Sequence, residues 1–96
     1  MPDINRMLTR LFSLWNLDDT QQIVLTGIVG EDEYVSILLL QIHAMLGLLY
    51  PNHPVRYDWV MRSNRCLGGA RPIDVMLGGA SGIQQIRDLL KVQLLR

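Results

Sequence analysis

Apolar residues recur three and four positions apart along most of the chain, and this spacing predicts helices rather than strands. A first helix is predicted over residues 4–15, with Asp3 as its N-cap. One face of this helix carries all of its large aliphatic side chains and its tryptophan, so this face is expected to be buried. The residues of that stripe are Ile4, Met7, Leu8, Leu11, Leu14 and Trp15.

A second, shorter helix is predicted over residues 18–26. Asp18 and Gln21 are spaced as a capping box, in which each side chain accepts a hydrogen bond from a backbone amide at the helix start. Gly27 is placed to end this helix, because glycine readily adopts the left-handed conformation that follows many helices. Residues 27–33 then form a predicted turn. Its last three residues are acidic and would begin the third helix, near the positive end of the helix dipole.

The third predicted helix, over about residues 32–50, is apolar on almost every side. Such a helix either lies at the centre of its fold or is covered by another chain. Both interpretations stay open at this point. The second is favoured, because a chain of 96 residues has few other helices with which to surround this one. We therefore expect a homodimer or a protein partner.

Proline and glycine divide the remainder of the chain. Pro51 cannot continue the third helix, and Asn52 is the predicted N-cap of a helix over about residues 54–62. Residues 63–71 form a predicted loop, in which paired glycines are free to adopt positive φ angles. This loop separates the fourth helix from two further helices at the end of the chain.

The last two helices are predicted from proline, glycine and a second capping box. Pro72 opens the short helix PIDVML, which Gly78 and Gly79 end. Ser81 and Gln84 are spaced as a capping box for the final helix. The predicted fold class is therefore all-α, a single compact domain of five to six helices that forms a dimer.

Composition and charge narrow the possible functions. The chain is 49% hydrophobic and 19% charged, which suits one packed domain and excludes a disordered chain. Residues 1–50 contain two basic and six acidic residues, whereas residues 51–96 contain seven and three. This asymmetry has two interpretations that the sequence leaves open. The halves attract each other, within one chain or across a dimer, or the basic half binds a partner.

The residue types that catalysis or metal binding requires do not form a recognisable pattern. His43 lies in an apolar helix and His53 in a turn, and neither has another ligand at metal-binding spacing. Cys66 is a plain thiol beside Arg65, without a base nearby in sequence. The glycine-rich segments lack the features of a phosphate-binding loop, and Gly82 is better interpreted as part of a helix–helix corner. We therefore expect no enzyme, no cofactor and no metal.

The single cysteine cannot form an internal disulfide, which fits the reducing cytoplasm. The first ten residues have no apolar core of a signal peptide, and no apolar run approaches the roughly 20 residues of a membrane helix. A helix-turn-helix has about the lengths of residues 4–16 and 18–27, but the second helix begins with acidic residues. DNA binding is therefore doubtful, and membrane association is not expected.

The second half of the chain resembles the toxin-binding domain of the MbcA/ParS/Xre antitoxin family, over about residues 37–95. An apolar helix ending in proline is followed by a tryptophan, an asparagine, a glycine step and a proline with an acidic residue. A final helix begins near glycine and carries an Ile-Arg pair. The matching positions are Pro51, Trp59, Asn64, Gly69, Pro72, Asp74, Met76, Leu77, Gly82, Ile86 and Arg87.

The segment LFSLWNLDDTQQIVLTGI resembles the opening helices of the same family. Only VGEDEYVS then occupies the place of the recognition helix and linker, so that helix is shortened or missing. The resemblance implies two units. Residues 1–30 are a helical pair, a remnant of a helix-turn-helix that serves dimerisation, and residues 31–96 are the toxin-binding helical domain.

The resemblance implies a RES-domain toxin as partner, which degrades NAD or transfers ADP-ribose from it, and steric inhibition of that toxin. Leu94, Leu95 and Arg96 would form the inhibitory tip, with Arg87 and Lys91 leading to it. Arg65 and Arg71 are further contact candidates, because arginine is enriched at interface anchors. Trp59, Asn64 and Pro72 are expected to shape the docking surface rather than to contact the toxin, and Gly69 and Asp74 belong to the same structural motif.

Two other functions compete with this interpretation. A DNA-binding transcriptional repressor would need a basic helix that faces a groove of DNA. An oligomerising scaffold protein without a toxin partner would account equally well for the apolar third helix.

Overall fold

The computed structural model describes residues 4–96, which form six α-helices and two short 3₁₀ turns. The described part of the chain contains no strand, and the predicted all-α fold class is confirmed. The predicted cap Asp3 lies outside the described residues. The helices are α1 (Ile4–Leu14), α2 (Asp19–Glu31), α3 (Tyr34–Leu49), α4 (Val55–Asp58), α5 (Pro72–Met76) and α6 (Ala80–Leu94), and the 3₁₀ turns are Trp59–Met61 and Arg65–Leu67.

The buried face of α1 is rotated from the stripe that the sequence predicted. Ile4, Met7 and Leu14 are exposed, although they are large and apolar. Phe12 takes their place in the core, since the aromatic ring lies on the side that faces the other helices. The buried residues at this end of the chain are Leu8, Leu11, Phe12, Trp15 and Leu17.

The predicted capping box at the start of α2 is confirmed. The backbone amide of Gln21 donates to Asp18 Oδ1 at 2.7 Å, and the backbone amide of Asp18 donates to Gln21 Oε1 at 3.0 Å. These two bonds satisfy two amides that would otherwise lack a partner at the start of the helix.

The predicted end of α2 at Gly27 is wrong, and so is the predicted turn over residues 27–33. The helix continues to Glu31, because Ile28 and Val29 pack against the core and only a helix places them there. Asp32 ends the helix in an extended conformation, and its Oδ1 accepts a hydrogen bond from the amide of Tyr34 at 3.0 Å. Glu31 therefore closes α2 instead of opening α3.

Helix α3 lies at the centre of the fold, with α6 as its main neighbour and α1, α2 and α4 on its other sides. Most of its apolar surface is thus covered within one chain, as the central-helix interpretation requires. Tyr34, Ile37 and Leu48 are the large apolar residues of α3 that stay exposed. Its buried residues are Val35, Ser36, Leu38, Leu39, Ile42 and Leu46.

Helix α4 is shorter than predicted, and Asn52 does not cap it. Asn52 adopts a left-handed conformation with φ of 58° in the preceding turn. His53 acts at the helix start instead, since its Nδ1 accepts a hydrogen bond from the amide of Val55 at 3.1 Å. The chain then tightens into the 3₁₀ turn, which carries Trp59 and Val60 into the core.

The corner between α5 and α6 depends on glycine. The predicted capping box of Ser81 and Gln84 is wrong, because α6 already begins at Ala80 and no side chain caps it. Gly79 permits this start with a φ of 132°. Gly82 then lies against the backbone of α5, where a Cβ atom would be 2.0 Å from the carbonyl oxygen of Val75.

One hydrophobic core joins the whole described chain. It includes Trp15 and Leu25 from the first 30 residues together with Ile42, Val60 and Ile83 from the remainder. The division at residue 30 therefore stays a prediction about function, since both predicted units contribute to the same core. No helix formed by residues 4–96 is both long and apolar enough to cross a bilayer.

We predict that Gly82→Ala destabilises the protein by about 2 kcal/mol or more, because the new methyl group forces α6 away from α5. Gly27→Ala is the matched control. Its Cβ would meet no atom within 4 Å, and alanine has the higher helix propensity. Thermal or urea unfolding should show this control to be neutral or up to about 1 kcal/mol more stable. Equal stability of the two variants would contradict the close approach at this corner.

Candidate functional site

The loop over residues 63–71, which contains the second 3₁₀ turn, is held in shape by Asn64. Its Oδ1 accepts a hydrogen bond from the amide of Cys66 at 2.9 Å, and its carbonyl oxygen accepts one from Gly69 at 2.9 Å. Its own amide donates to the carbonyl oxygen of Ala70 at 3.0 Å. Gly68 and Gly69 adopt positive φ angles of 66° and 93°, which close the loop without steric strain. Arg65 projects from this ordered loop and is exposed.

Arg71 follows the loop and is positioned by Asp74. The Arg71 Nε and Nη2 atoms donate to the two carboxylate oxygens of Asp74 at 2.9 and 3.0 Å. This hydrogen bonding and the charge of Asp74, with a smaller contribution from Asp18, raise the pKa of the Arg71 guanidinium. The pair is exposed, so it orients Arg71 more than it stabilises the fold.

Trp59 and Pro72 are buried before and after the loop, respectively. The side chain of Trp59 is only 6% exposed, and Pro72 is buried at the first turn of α5, where its fixed φ angle suits a helix. These positions hold the backbone that carries Arg65 and Arg71.

The other predicted contact residues lie along α6 or directly after it. Arg87 is largely covered, with 17% of its side chain exposed, and its Nε pairs with Asp88 Oδ1 at 2.8 Å. Leu95, in contrast, is 77% exposed. Leu94 is half-buried, whereas Lys91 and Arg96 are exposed. The full set is Arg87, Lys91, Leu94, Leu95 and Arg96.

Val92 is an exposed residue that the sequence analysis missed. It lies three positions before Leu95 and four after Asp88, so it shares the outer face of α6 with Leu95. The sequence feature that could have identified Val92 is its position as an apolar residue outside the buried stripe of α6. That stripe consists of Ile83, Ile86 and Leu90.

The predicted contact residues form two separate groups. Arg65 and Arg71 lie on the loop, and the other five lie on α6 and its end. No hydrogen bond or ion pair recorded within residues 4–96 joins the groups. At 1.5 Å per residue, Leu95 lies about 20 Å along the helix from Gly82, where α5 fixes the base of α6. A partner that touches both groups must therefore cover much of one side of the molecule.

Comparison with family models supplies the deciding observation. Residues 48–91 match the model of the antitoxin Xre/MbcA/ParS C-terminal toxin-binding domain. Over this segment the chain is similar to the Xre/MbcA/ParS antitoxin family. The family predicted from the sequence is confirmed, although the predicted resemblance over residues 37–95 extends past the match at both ends. Comparison with curated proteins and with solved structures gave no match.

The toxin-binding domain contains the ordered loop, both of its arginines, and most of α6. Arg87 and Lys91 fall within the matched residues, whereas Leu94, Leu95 and Arg96 follow them. The chain therefore carries an antitoxin domain whose family role is binding a toxin. Among residues 4–96 no group of His, Cys, Asp and Glu side chains could hold a metal ion.

A concave region lies between α1, α3 and α4. It is lined by side chains that include Arg10, His43 and Arg56. Burial, and to a smaller extent the positive charge of Arg56, lower the pKa of His43. His43 is therefore neutral in the folded protein at pH 7.

We predict that His43 makes the protein less stable in mild acid. Its pKa is lower in the folded than in the unfolded state, so the unfolded state takes up the proton first as pH falls. Stability should be fully present above about pH 6.5 and decrease as pH falls through the lowered pKa. Urea unfolding at pH 7 and about 5.5 should show a smaller loss for His43→Gln than for wild type. Equal losses for wild type and for His43→Gln would contradict this role of His43.

Proposed function

We propose that this protein is the antitoxin of a type II toxin–antitoxin system and inhibits a RES-domain toxin that consumes NAD or transfers ADP-ribose from it. The toxin-binding domain over residues 48–91 supports an antitoxin role. The observation that carries the inhibitory mechanism is the exposed end of α6, where Leu95 lies beside Lys91 and Arg96. In this proposal that end covers the NAD pocket of the toxin.

Steric inhibition needs a rigid element whose tip contributes binding free energy when the partner covers it. Helix α6 meets the first requirement, because the contact of Gly82 with Val75 fixes its base. Leu95 meets the second, since burial of a leucine side chain contributes about 1.5–3 kcal/mol. Lys91 and Arg96 add positive charge, which attracts acidic groups more strongly once water is excluded.

The loop supplies a second region of contact in this proposal. Asp74 holds the guanidinium of Arg71 in one orientation, so less side-chain entropy is lost when a partner binds. Arg65 is exposed on the same loop. A standard interface buries roughly 800 Å² on each partner, which is wide enough to include both the loop and the end of α6.

The protein acts by binding in this proposal, without a reaction of its own, and works in the cytoplasm together with its toxin. The free thiol of Cys66 is exposed, which suits a reducing compartment.

We also propose that the antitoxin is a homodimer. The exposed apolar residues left by the packing of α1 against α3 support this assembly. Ile4, Tyr34 and Ile37 line one groove together with Val29 at the end of α2. A second copy that covers this groove would remove the largest apolar side chains of that region from water.

We predict that Leu95→Asp weakens toxin inhibition at least tenfold while leaving the fold intact, because it places a charge where an apolar contact is proposed. Removal of residues 94–96 should have the same effect. Co-purification with a candidate RES-domain protein, followed by NAD consumption at increasing antitoxin concentration, measures this loss. Ile23→Asp is the matched control, since Ile23 is 71% exposed on α2, away from α6.

Undiminished inhibition by Leu95→Asp and by the truncated chain would refute the role of the α6 end. A folded wild-type protein that neither binds the RES-domain protein nor slows NAD loss would refute the toxin assignment itself.

We predict that Ile37→Asp shifts the protein from dimer to monomer at micromolar concentration, because a charge at the groove opposes its burial. Light scattering of the wild type and of this variant measures the change, with Ile23→Asp again as control. A monomeric wild type would contradict the proposed dimer.

A further inference from the structure

The groove between α1, α3 and α4 gathers hydrogen-bond donors from three helices. Its volume is about 420 Å³, which lies within the usual range of pockets for small molecules. The polar side chains on its wall are those of Arg10, His43, Arg56 and Tyr57. Its remaining wall is formed by Leu14, Ala44 and Gly47.

The positive charge of this groove is not neutralised from within the described chain. No carboxylate lines it, and neither α1 nor α3 contains an acidic residue. The acidic residue of α4, Asp58, pairs with Arg62 at 3.0 Å. Arg10 and Arg56 therefore both line one concave surface, and no carboxylate-bearing residue of the described chain lines it with them.

Arg56 is held in place before any ligand arrives. Its guanidinium lies 4.6 Å from the centre of the Tyr57 ring and donates a hydrogen bond to the Tyr57 hydroxyl oxygen. The hydroxyl proton of Tyr57 stays available to donate. A neutral His43 ring offers one further N–H. The groove is thus lined by the positioned donors of α4 and α3 and by the exposed side chain of Arg10 from α1.

We propose that this groove binds a phosphate group, carried by inorganic phosphate or by a phosphate monoester of a small molecule. Two unneutralised arginines match the charge of roughly −1.5 to −2 on a phosphate monoester at pH 7. Guanidinium groups also bind phosphate oxygens through paired hydrogen bonds. This site lies beyond the proposed antitoxin function and does not depend on it.

The chemistry of the wall favours phosphate over a simple carboxylate. A carboxylate carries one negative charge and would leave one of the two arginines without compensation. A phosphate also has three oxygens for the donors of Arg10, Arg56, Tyr57 and His43. The ring of Tyr57 and the side chain of Leu14 leave an apolar wall for the organic part of a monoester.

Nuclear magnetic resonance of the full chain tests this proposal directly. Sodium phosphate, adenosine monophosphate and sodium acetate are added separately at constant ionic strength, up to about 20 mM, which would detect millimolar dissociation constants. We expect saturable shifts of the Arg10 and Arg56 Nε–H signals and of the His43 ring with both phosphate compounds. A bound dianion should also raise the pKa of His43, since it favours the protonated ring.

Variants then locate the binding. Arg10→Gln and Arg56→Gln should each weaken phosphate binding about tenfold or more, because each removes a charge-assisted hydrogen bond. Ala44→Glu leaves both arginines in place and supplies an internal carboxylate, so it should abolish binding. Arg65→Gln, which removes an exposed arginine from a different surface, should leave phosphate affinity unchanged. Circular dichroism of each variant verifies the fold.

Three outcomes would overturn the proposal. The first is the absence of saturable shifts in the wild-type protein with either phosphate compound. The second is acetate binding as tight as phosphate binding. The third is groove signals that respond only to duplex DNA at low salt, which would assign this surface to nucleic acid instead.

Discussion

The burial of α3 is the constraint on which the rest of this structure depends. A helix that is apolar on almost every side is stable in water only if other helices cover it. In 96 residues, α6 provides most of that cover, and it also packs closely against α5. The missing side chain of Gly82 makes this approach possible, since any Cβ there would overlap the carbonyl oxygen of Val75.

The surfaces proposed for binding lie at the margins of this core, and their rigidity comes from it. The loop that carries Arg65 and Arg71 is fixed by the hydrogen bonds of Asn64 and by the buried ring of Trp59. The end of α6 extends from a helix whose middle is locked against α3. A small helical domain can therefore present a rigid binding surface.

Two motifs with the same spacing show how far a local sequence pattern predicts the structure. Asp18 and Gln21 form the predicted capping box, whereas Ser81 and Gln84 do not, although both pairs have the same spacing. The difference lies outside the motif, because Gly79 allows α6 to start earlier and to pack against α5. In the same way, Gly27 has the position of a helix end, but the burial of Ile28 and Val29 keeps α2 helical to Glu31.

The sequence by itself determined the helical class, the approximate place of every helix, and the similarity of its second half to the antitoxin family, because these depend on spacing and on residue types at fixed positions. It also predicted the loop glycines and the start of α5, which are local effects of backbone conformation. Only the tertiary structure decided which face of α1 is buried, how far α3 is covered, and where charges meet. Arg10 and Arg56 are distant in sequence and lie in halves of opposite net charge, yet they line one groove. Burial and electrostatic interactions depend on distance in space, so the distance between two residues along the sequence does not predict them.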